Sequence, residues 1–273
     1  MILMDGKKIA QRKFSEIEKK IKGSGVSPFL GVVQIGENKV SEVYINEKRK
    51  RMESAGVVFC LHHIKEDAMS EEVKEKILAL KEDGVIVQLP LPEGLKKREI
   101  LDAIPLKKDV DILSKKACGR FYTGFFEILP PVVGAVDTFL KEYEIEVEGK
   151  NVVLIGAGEL VGKPLCIYFM QREATVSVLN AKTKNLKQFT EKADIIVSGA
   201  GVPGLIKGGM VKKGAALIDA GTSVDEGKLK GDIEKETVEG KASFLSPVPG
   251  GVGPLTTYHL TYNLLYLKKQ NGD

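Results

Sequence analysis

The chain has 273 residues, 43% of them apolar and 29% charged, with a formal net charge of +4. That length allows two ordinary domains with real cores, and so mild a charge gives no support to a nucleic-acid or membrane partner. No apolar run approaches the ~20 residues that a bilayer span requires. The first eight residues acquire acid and lysine too early for a signal peptide, so a cytoplasmic location is expected. Cys60, Cys118 and Cys166 are scattered and form neither a disulfide framework nor a metal-ligand spacing. His62 and His63 are neighbours in a strand-like stretch, His259 stands alone, and no metal is expected.

Residues 6–22 carry Ile9, Phe14, Ile17 and Ile21 at helical spacing, and 23–28 break that helix. Residues 29–34 read as a buried strand and 41–55 as a helix stopped by Gly56. A second strand follows at 57–64, then a helix to Leu80 with Ser70 as its expected N-cap. A third strand at 85–89 is closed by Pro90-Leu91-Pro92, and 96–103 form a basic helix. Strand and helix alternate, so this half is expected to be a parallel α/β layer.

Residues 118–131, rich in aromatics, glycine and proline, read as a crossing between domains, and 132–143 as a helix. Val152 to Ile155 is a short β-branched run; Gly156-Ala157-Gly158 turns; a helix is expected from Leu160 onward. Strand, glycine turn and helix start together make a phosphate cradle, because the helix end offers free N–H groups and glycine admits a pyrophosphate to the backbone. The spacing Gly156, Gly158, Gly162 is one residue wider than the usual dinucleotide fingerprint. Strands at 175–179, 195–198 and 216–219 and a helix at 186–192 complete a second α/β unit, followed by a rigid turn at 246–254 and a last helix at 255–267.

Ligands of α/β sheets lie outside the carboxyl ends of the strands. That rule picks Ser41, Tyr44 and Lys48 after the first strand, with Tyr44 and Lys48 one turn apart on one helix face. It also picks Gln88, a polar amide among apolar neighbours. Asp109 and Asp111, beside Lys107 and Lys108, read in isolation as a solvated charge run. Asn180 stands where an acid usually binds a ribose 2′-hydroxyl, with Lys182 and Lys184 close by, which favours NADP over NAD on charge grounds.

Four segments carry a family resemblance: Val43-Tyr44-Ile45-Asn46-Glu47-Lys48, Val87-Gln88-Leu89-Pro90-Leu91-Pro92, Lys108-Asp109-Val110-Asp111 and Pro247-Val248-Pro249-Gly250-Gly251-Val252-Gly253-Pro254. In order and separation they resemble the bifunctional methylenetetrahydrofolate dehydrogenase/methenyltetrahydrofolate cyclohydrolase family across nearly the whole chain. The resemblance implies an α/β protein of two domains with a cleft between them. Residues 1–117, completed by 255–273, would bind folate, and 118–254 would be the Rossmann-type NAD(P)-binding domain. The implied substrate is a tetrahydrofolate derivative, the implied cofactor NADP with NAD possible, and the implied assembly a homodimer. Lys48 would be the catalytic lysine, Tyr44 would stack on the folate, Gln88 would hydrogen-bond Lys48, and Asp111 would bind the pterin ring. Ser41, Leu89, Pro90, Pro249, Gly250 and Gly251 complete the implied substrate side. Gly156, Ala157, Gly158, Val161, Gly162 and Asn180 fall on the implied cofactor side. So do Ala181, Lys182, Thr183, Gly201, Thr222 and Gly253.

The departures from the family pattern lie mainly around the cofactor. Ala157 and Ala181 replace an arginine and a serine that often reach the 2′-phosphate, Ala220-Gly221-Thr222-Ser223 replaces Val-Gly-Ile-Asn, and Pro131-Val132 interrupts the usual Pro-Cys-Thr-Pro pattern. Ile112 follows Asp111 where the family usually has glycine. Three readings stay open: the bifunctional enzyme, a cyclohydrolase with NAD-preferring or lost dehydrogenase activity, and a folate-binding protein without catalysis.

Overall fold

The computed structural model describes residues 1–225 and 228–272. The chain runs β1 (Ile2–Leu3), α1 (Gly6–Ser24), β2 (Phe29–Ile35), α2 (Lys39–Ser54), β3 (Val58–Ile64), α3 (Ser70–Ala79), β4 (Gly84–Val87), α4 (Lys97–Asp102) and α5 (Lys115–Tyr122). It continues with α6 (Pro131–Glu142), β5 (Asn151–Ile155), α7 (Gly162–Met170), β6 (Thr175–Leu179), α8 (Lys187–Thr190), β7 (Ile195–Ser198) and β8 (Ala216–Asp219). The hairpin β9 (Ser223–Asp225) and β10 (Lys228–Lys230), α9 (Lys235–Val238), β11 (Phe244–Leu245) and α10 (Val252–Gly272) end it. No helix among the described residues is long and apolar enough to cross a membrane.

The chain divides into two compact units, one of residues 12–130 and 257–273, the other of 1–11 and 131–256. The first holds a parallel sheet of order β3-β2-β4. Alternation along the strands sends Val33, Ile35, Val85 and Val87 to one face, where Val73 and Ile77 of α3 and Ile100 and Leu101 of α4 complete a core. Leu30, on the opposite face, lies beside Leu264 and Val110 over Gly84, a position where a Cβ would meet either side chain at 2.6 Å. Because β3 and β4 flank β2 on opposite sides, the chain reverses direction across the sheet at β2. A switch point of that kind opens a crevice at the strands' carboxyl ends.

The second unit holds a six-stranded sheet of order β1-β11-β8-β7-β5-β6, parallel throughout. Its strands β5, β7 and β8 are apolar and buried, as a sheet covered on both faces demands. Here the reversal falls between β5 and β7, next to the glycine turn.

Several expectations need correction. Ser70 begins α3 instead of capping it; its Oγ accepts the Lys96 amide proton at 3.0 Å. Residues 115–122, expected partly as an open crossing, form α5, capped by Ser114, which accepts from the Ala117 amide. The strand expected to reach Leu89 ends at Val87, and α7 starts at Gly162, two residues past Leu160. The helix expected over 186–192 is a single turn. The two-residue strands β1 and β11 had no sequence periodicity to announce them.

Candidate active site

The switch point of the three-stranded sheet gathers the polar groups of the first unit. α2, which follows β2, is capped by Asn38, whose side chain accepts from the Ser41 amide at 2.9 Å. Ile45 and Met52 fix the helix's inner face in the core. That orientation brings Lys48 to the end of β4, where its Nζ donates to Gln88 Oε1 at 3.1 Å. Gln88 Nε2 donates in turn to the Leu89 carbonyl at 2.7 Å, so the amide is held with its oxygen toward the lysine. Burial pushes the Lys48 ammonium below its ordinary pKa, and the Asp111 charge works in the opposite direction. Asp111 itself is raised to about 6, chiefly by burial, with Lys48 opposing and Asp109 reinforcing the rise. Tyr44 stands half-buried one turn before Lys48, Ser41 is buried, Leu89 is half-buried and Pro90 is exposed.

Asp109 is no solvated charge. It is fully buried, bridges in parallel to Val85 beside β4, and its carboxylate accepts from the amides of Leu113 and Ser114, the latter at 2.8 Å. It thereby closes the loop that presents Asp111, and burial raises its own pKa. Ile112 occupies the middle of that loop at φ +57°.

A further residue, outside the expected site set, belongs to this region. Gln34, on the face of β2 that carries Leu30, is 2% exposed, and neither its amide oxygen nor its nitrogen has a hydrogen-bond partner among the described residues. Val33 pairs with Val87, so Gln34 is one step along the register, beside Gln88. The signal that picked Gln88, an amide closing an apolar run, was equally present here. Gln34→Leu keeps the volume and removes the unmet polar group, so it is expected to stabilise the chain by about 1 kcal/mol in urea unfolding. A loss of stability would mean that the amide is satisfied in solution.

In the second unit the glycine turn is tightly built. Gly156 has φ +100°, and a Cβ there would lie 2.6 Å from the Gly199 carbonyl oxygen. A Cβ on Gly162 would lie 1.9 Å from the Gly156 oxygen, so the start of α7 is pressed onto the turn. Over Gly158 the space is open, and Ala157 is exposed. Val161 directly precedes α7. After β6, Asn180 Oδ1 accepts from the Lys182 amide at 2.8 Å and Thr183 Oγ1 accepts from the Asn180 amide at 3.0 Å, a closed turn that leaves Ala181 and Lys182 exposed.

Two buried carboxylates organise the neighbouring loops, and neither was anticipated. Asp232 accepts from Ser198 Oγ and the Ala200 amide, each at 2.7 Å, and from the Gly201 and Val202 amides, so it fixes the loop after β7. Asp219 accepts from the amides of Gly221, Asp232 and Ile233, beside exposed Thr222. Pro249 follows a cis peptide bond. The Gly250 carbonyl accepts from the Lys7 amide at 2.9 Å, a Cβ on Gly251 would meet the Pro247 oxygen at 2.5 Å, and Gly253 is exposed.

Burial pushes the Asp219 carboxyl up to about 7, against three backbone donors that pull it down and with the Asp232 charge adding to the rise. The folded chain thus keeps a proton there that an unfolded chain, titrating near ~3.9, has released. This group therefore makes stability fall as pH rises from about 4 to about 7, with no further change above. Asp219→Asn is expected to flatten that part of the curve of unfolding midpoint against pH. An unchanged slope would refute the assignment.

Family models match both parts of the chain. Residues 4–111 match the catalytic domain of tetrahydrofolate dehydrogenase/cyclohydrolase, and residues 130–272 match its NAD(P)-binding domain. The chain is 38% identical to Bifunctional protein FolD of Aquifex aeolicus, covering 97% of this chain and 94% of that one. It is also similar to the crystal structure of the bifunctional enzyme FolD from Campylobacter jejuni, with TM-score 0.94, 36% identity and 99% of each chain covered. The methylenetetrahydrofolate dehydrogenase-cyclohydrolase of Trypanosoma brucei, solved with NADP and an inhibitor, matches with TM-score 0.93 and 30% identity over 99% of this chain and 98% of that one.

Proposed function

The chain belongs to the tetrahydrofolate dehydrogenase/cyclohydrolase family, and we propose on that footing that Lys48, Tyr44, Gln88 and Asp111 are its folate-side catalytic residues. Its activity is the oxidation of 5,10-methylenetetrahydrofolate to the methenyl form with NADP, followed by hydrolysis to 10-formyltetrahydrofolate. One observation carries the site reading: a half-buried lysine paired with a neutral amide at 3.1 Å instead of with a carboxylate. Burial favours the uncharged amine, and an amine is what can take a proton from water as it adds to the methenyl carbon. The carbon–oxygen bond forms, the bond from that carbon to N5 breaks, one water proton ends on N5 and the other leaves to solvent. Lys48 Nζ relays these protons, Gln88 holds it in place without adding charge, Tyr44 gives the ring a flat surface, and Asp111 accepts from the pterin.

The second unit fits a dinucleotide, since glycine at 156 and 162 leaves no side chain where the turn and the start of α7 meet. Gly156, Ala157, Gly158, Val161 and Gly162 would cradle the pyrophosphate. Asn180, Ala181, Lys182 and Thr183 would face the ribose and its phosphate, with Gly201, Thr222 and Gly253 toward the nicotinamide. When bound, NADP supplies the hydride acceptor. Two exposed lysines, Lys182 and Lys184, and no carboxylate at Asn180 support a 2′-phosphate there. Pro249, Gly250 and Gly251, with Ser41, Leu89 and Pro90, complete the proposed substrate side. The family resemblance also leads us to propose a cytoplasmic homodimer, which sedimentation of the purified chain tests.

The deciding assay supplies methylenetetrahydrofolate with NADP or NAD separately and follows reduced cofactor together with methenyl absorbance. Reduction with NADP is expected. Reduction with NAD alone would mean that Ala157 and Ala181 have moved the preference, and neither reduction nor methenyl hydrolysis would overturn the catalytic reading.

A further inference from the structure

Cys60 and His62 are two apart on β3, so their side chains share one face of the sheet. Spacing in the sequence gives them no third partner. The fold supplies one: Glu82, from the turn before β4, whose Oε1 lies 2.5 Å from His62 Nε2. The Cys60 sulfur, one ring nitrogen of His62 and one carboxylate oxygen of Glu82 form a group whose ligand atoms all lie within 4.8 Å of one another. The carboxylate is only 5% exposed, while the His62 side chain remains 32% exposed and leaves an entry path. Room for the acid comes from Gly31 in the middle of β2, where a Cβ would stand 3.2 Å from the Glu82 carboxyl carbon. A glycine inside a strand weakens it, and its usual reason is the close approach of another group.

We propose that Cys60, His62 and Glu82 form a binding site for a divalent transition metal, with zinc the best fit. Thiolate, imidazole and carboxylate are the donors zinc accepts, and three of them leave a fourth position for water. Zinc bonds of about 2.0–2.3 Å place tetrahedral ligand atoms roughly 3.4–3.7 Å apart, which side-chain rotations of about 1 Å achieve from this arrangement. On binding, Cys60 releases its proton to solvent, and the His62 proton passes from Nε2 to Nδ1, which leaves Nε2 and the Glu82 carboxylate open to the metal. Thiolate and carboxylate then carry two negative charges against the dication, so the buried acid is neutralised. The site lies on the sheet face opposite Gln34 and Gln88, on an edge strand, and ties β3 to the start of β4. It is separate from the lysine centre, and its role is to hold that edge.

The test is a zinc titration of the full chain, stripped with chelator, against a chromophoric competitor, repeated with cobalt as a spectroscopic probe. One zinc per chain is expected, with affinity lowered at least tenfold in Cys60→Ser and in His62→Ala. The cobalt complex should show a thiolate charge-transfer band that Cys60→Ser abolishes and Cys118→Ser and Cys166→Ser retain. Zinc should also raise the unfolding temperature of the parent chain but not of the two variants. Variants that unfold like the metal-free parent chain show that the site, not the fold, was lost. Absence of zinc binding, or binding undiminished in the Cys60→Ser/His62→Ala double variant, overturns the proposal.

Discussion

Lys48→Met should lower cyclohydrolase kcat on supplied methenyltetrahydrofolate by about 10²–10⁴-fold, the range that a positioned proton carrier contributes. Methionine keeps the length and the burial of the side chain while removing the amine, so α2 should stay seated through Ile45 and Met52. Gln88 would lose only the donor to its Oε1, since its Nε2 still reaches the Leu89 carbonyl. NADP reduction with methylenetetrahydrofolate should fall far less, because hydride transfer needs no proton at that atom. The pH profile gives a second readout. Activity of the parent enzyme should decline as pH drops toward about 6, where Asp111 takes up a proton and ceases to accept from the pterin. Protonation of the Lys48 amine acts in the same direction. Unimpaired hydrolysis by Lys48→Met would remove the lysine from the mechanism.

Gly162→Ala is expected to do the reverse. The new methyl group would be driven into the Gly156 carbonyl, and only backbone atoms lie nearby to yield. The turn or the start of α7 must shift by about an ångström, enough for a loss of roughly 10²-fold in dehydrogenase rate. Hydrolysis of supplied methenyltetrahydrofolate should remain, because the lysine centre belongs to the other unit. Gly158→Ala guards against a trivial unfolding result. Its methyl group meets nothing within 4 Å, so the chain's stability should hold while the methyl group crowds a bound pyrophosphate. Normal NADP affinity in Gly158→Ala would move the phosphate site elsewhere.

What the sequence revealed follows from the range over which each signal acts. Tyr44 and Lys48 were visible because i and i+4 share a helix face. Gln88 was visible because an amide ends an apolar strand, and the same logic would have found Gln34. Asp109 was misread because a carboxylate between lysines and valine looks solvated until the Leu113 and Ser114 amides fold back on it. Asp219 holds the Asp232 and Ile233 amides from beyond the β9–β10 hairpin, and Asp232 holds the loop after β7 about thirty residues back, and no local pattern encodes either. Cys60, His62 and Glu82 likewise needed the sheet to bring them together. Ile112 is an instructive case. The resemblance leads to glycine at this place, yet isoleucine adopts the left-handed geometry at φ +57°, at a cost of about 1–2 kcal/mol to a β-branched residue. Its side chain, 3% exposed, offsets that cost by burial.

The pairing of Ile2 with Phe244 sets the order in which the protein can mature on the ribosome. The first strand synthesised waits for the last one, so the six-stranded sheet cannot gain its edge until β11 has emerged. The lysine unit waits as well, because its share of α10 comes from residues 257–272. Neither unit is a continuous stretch of chain, and no single cut releases either one whole. Contacts this distant in sequence are slow to close, so nascent chains halted before residue 244 should stay protease-sensitive in both units, and release of the full chain should protect both together.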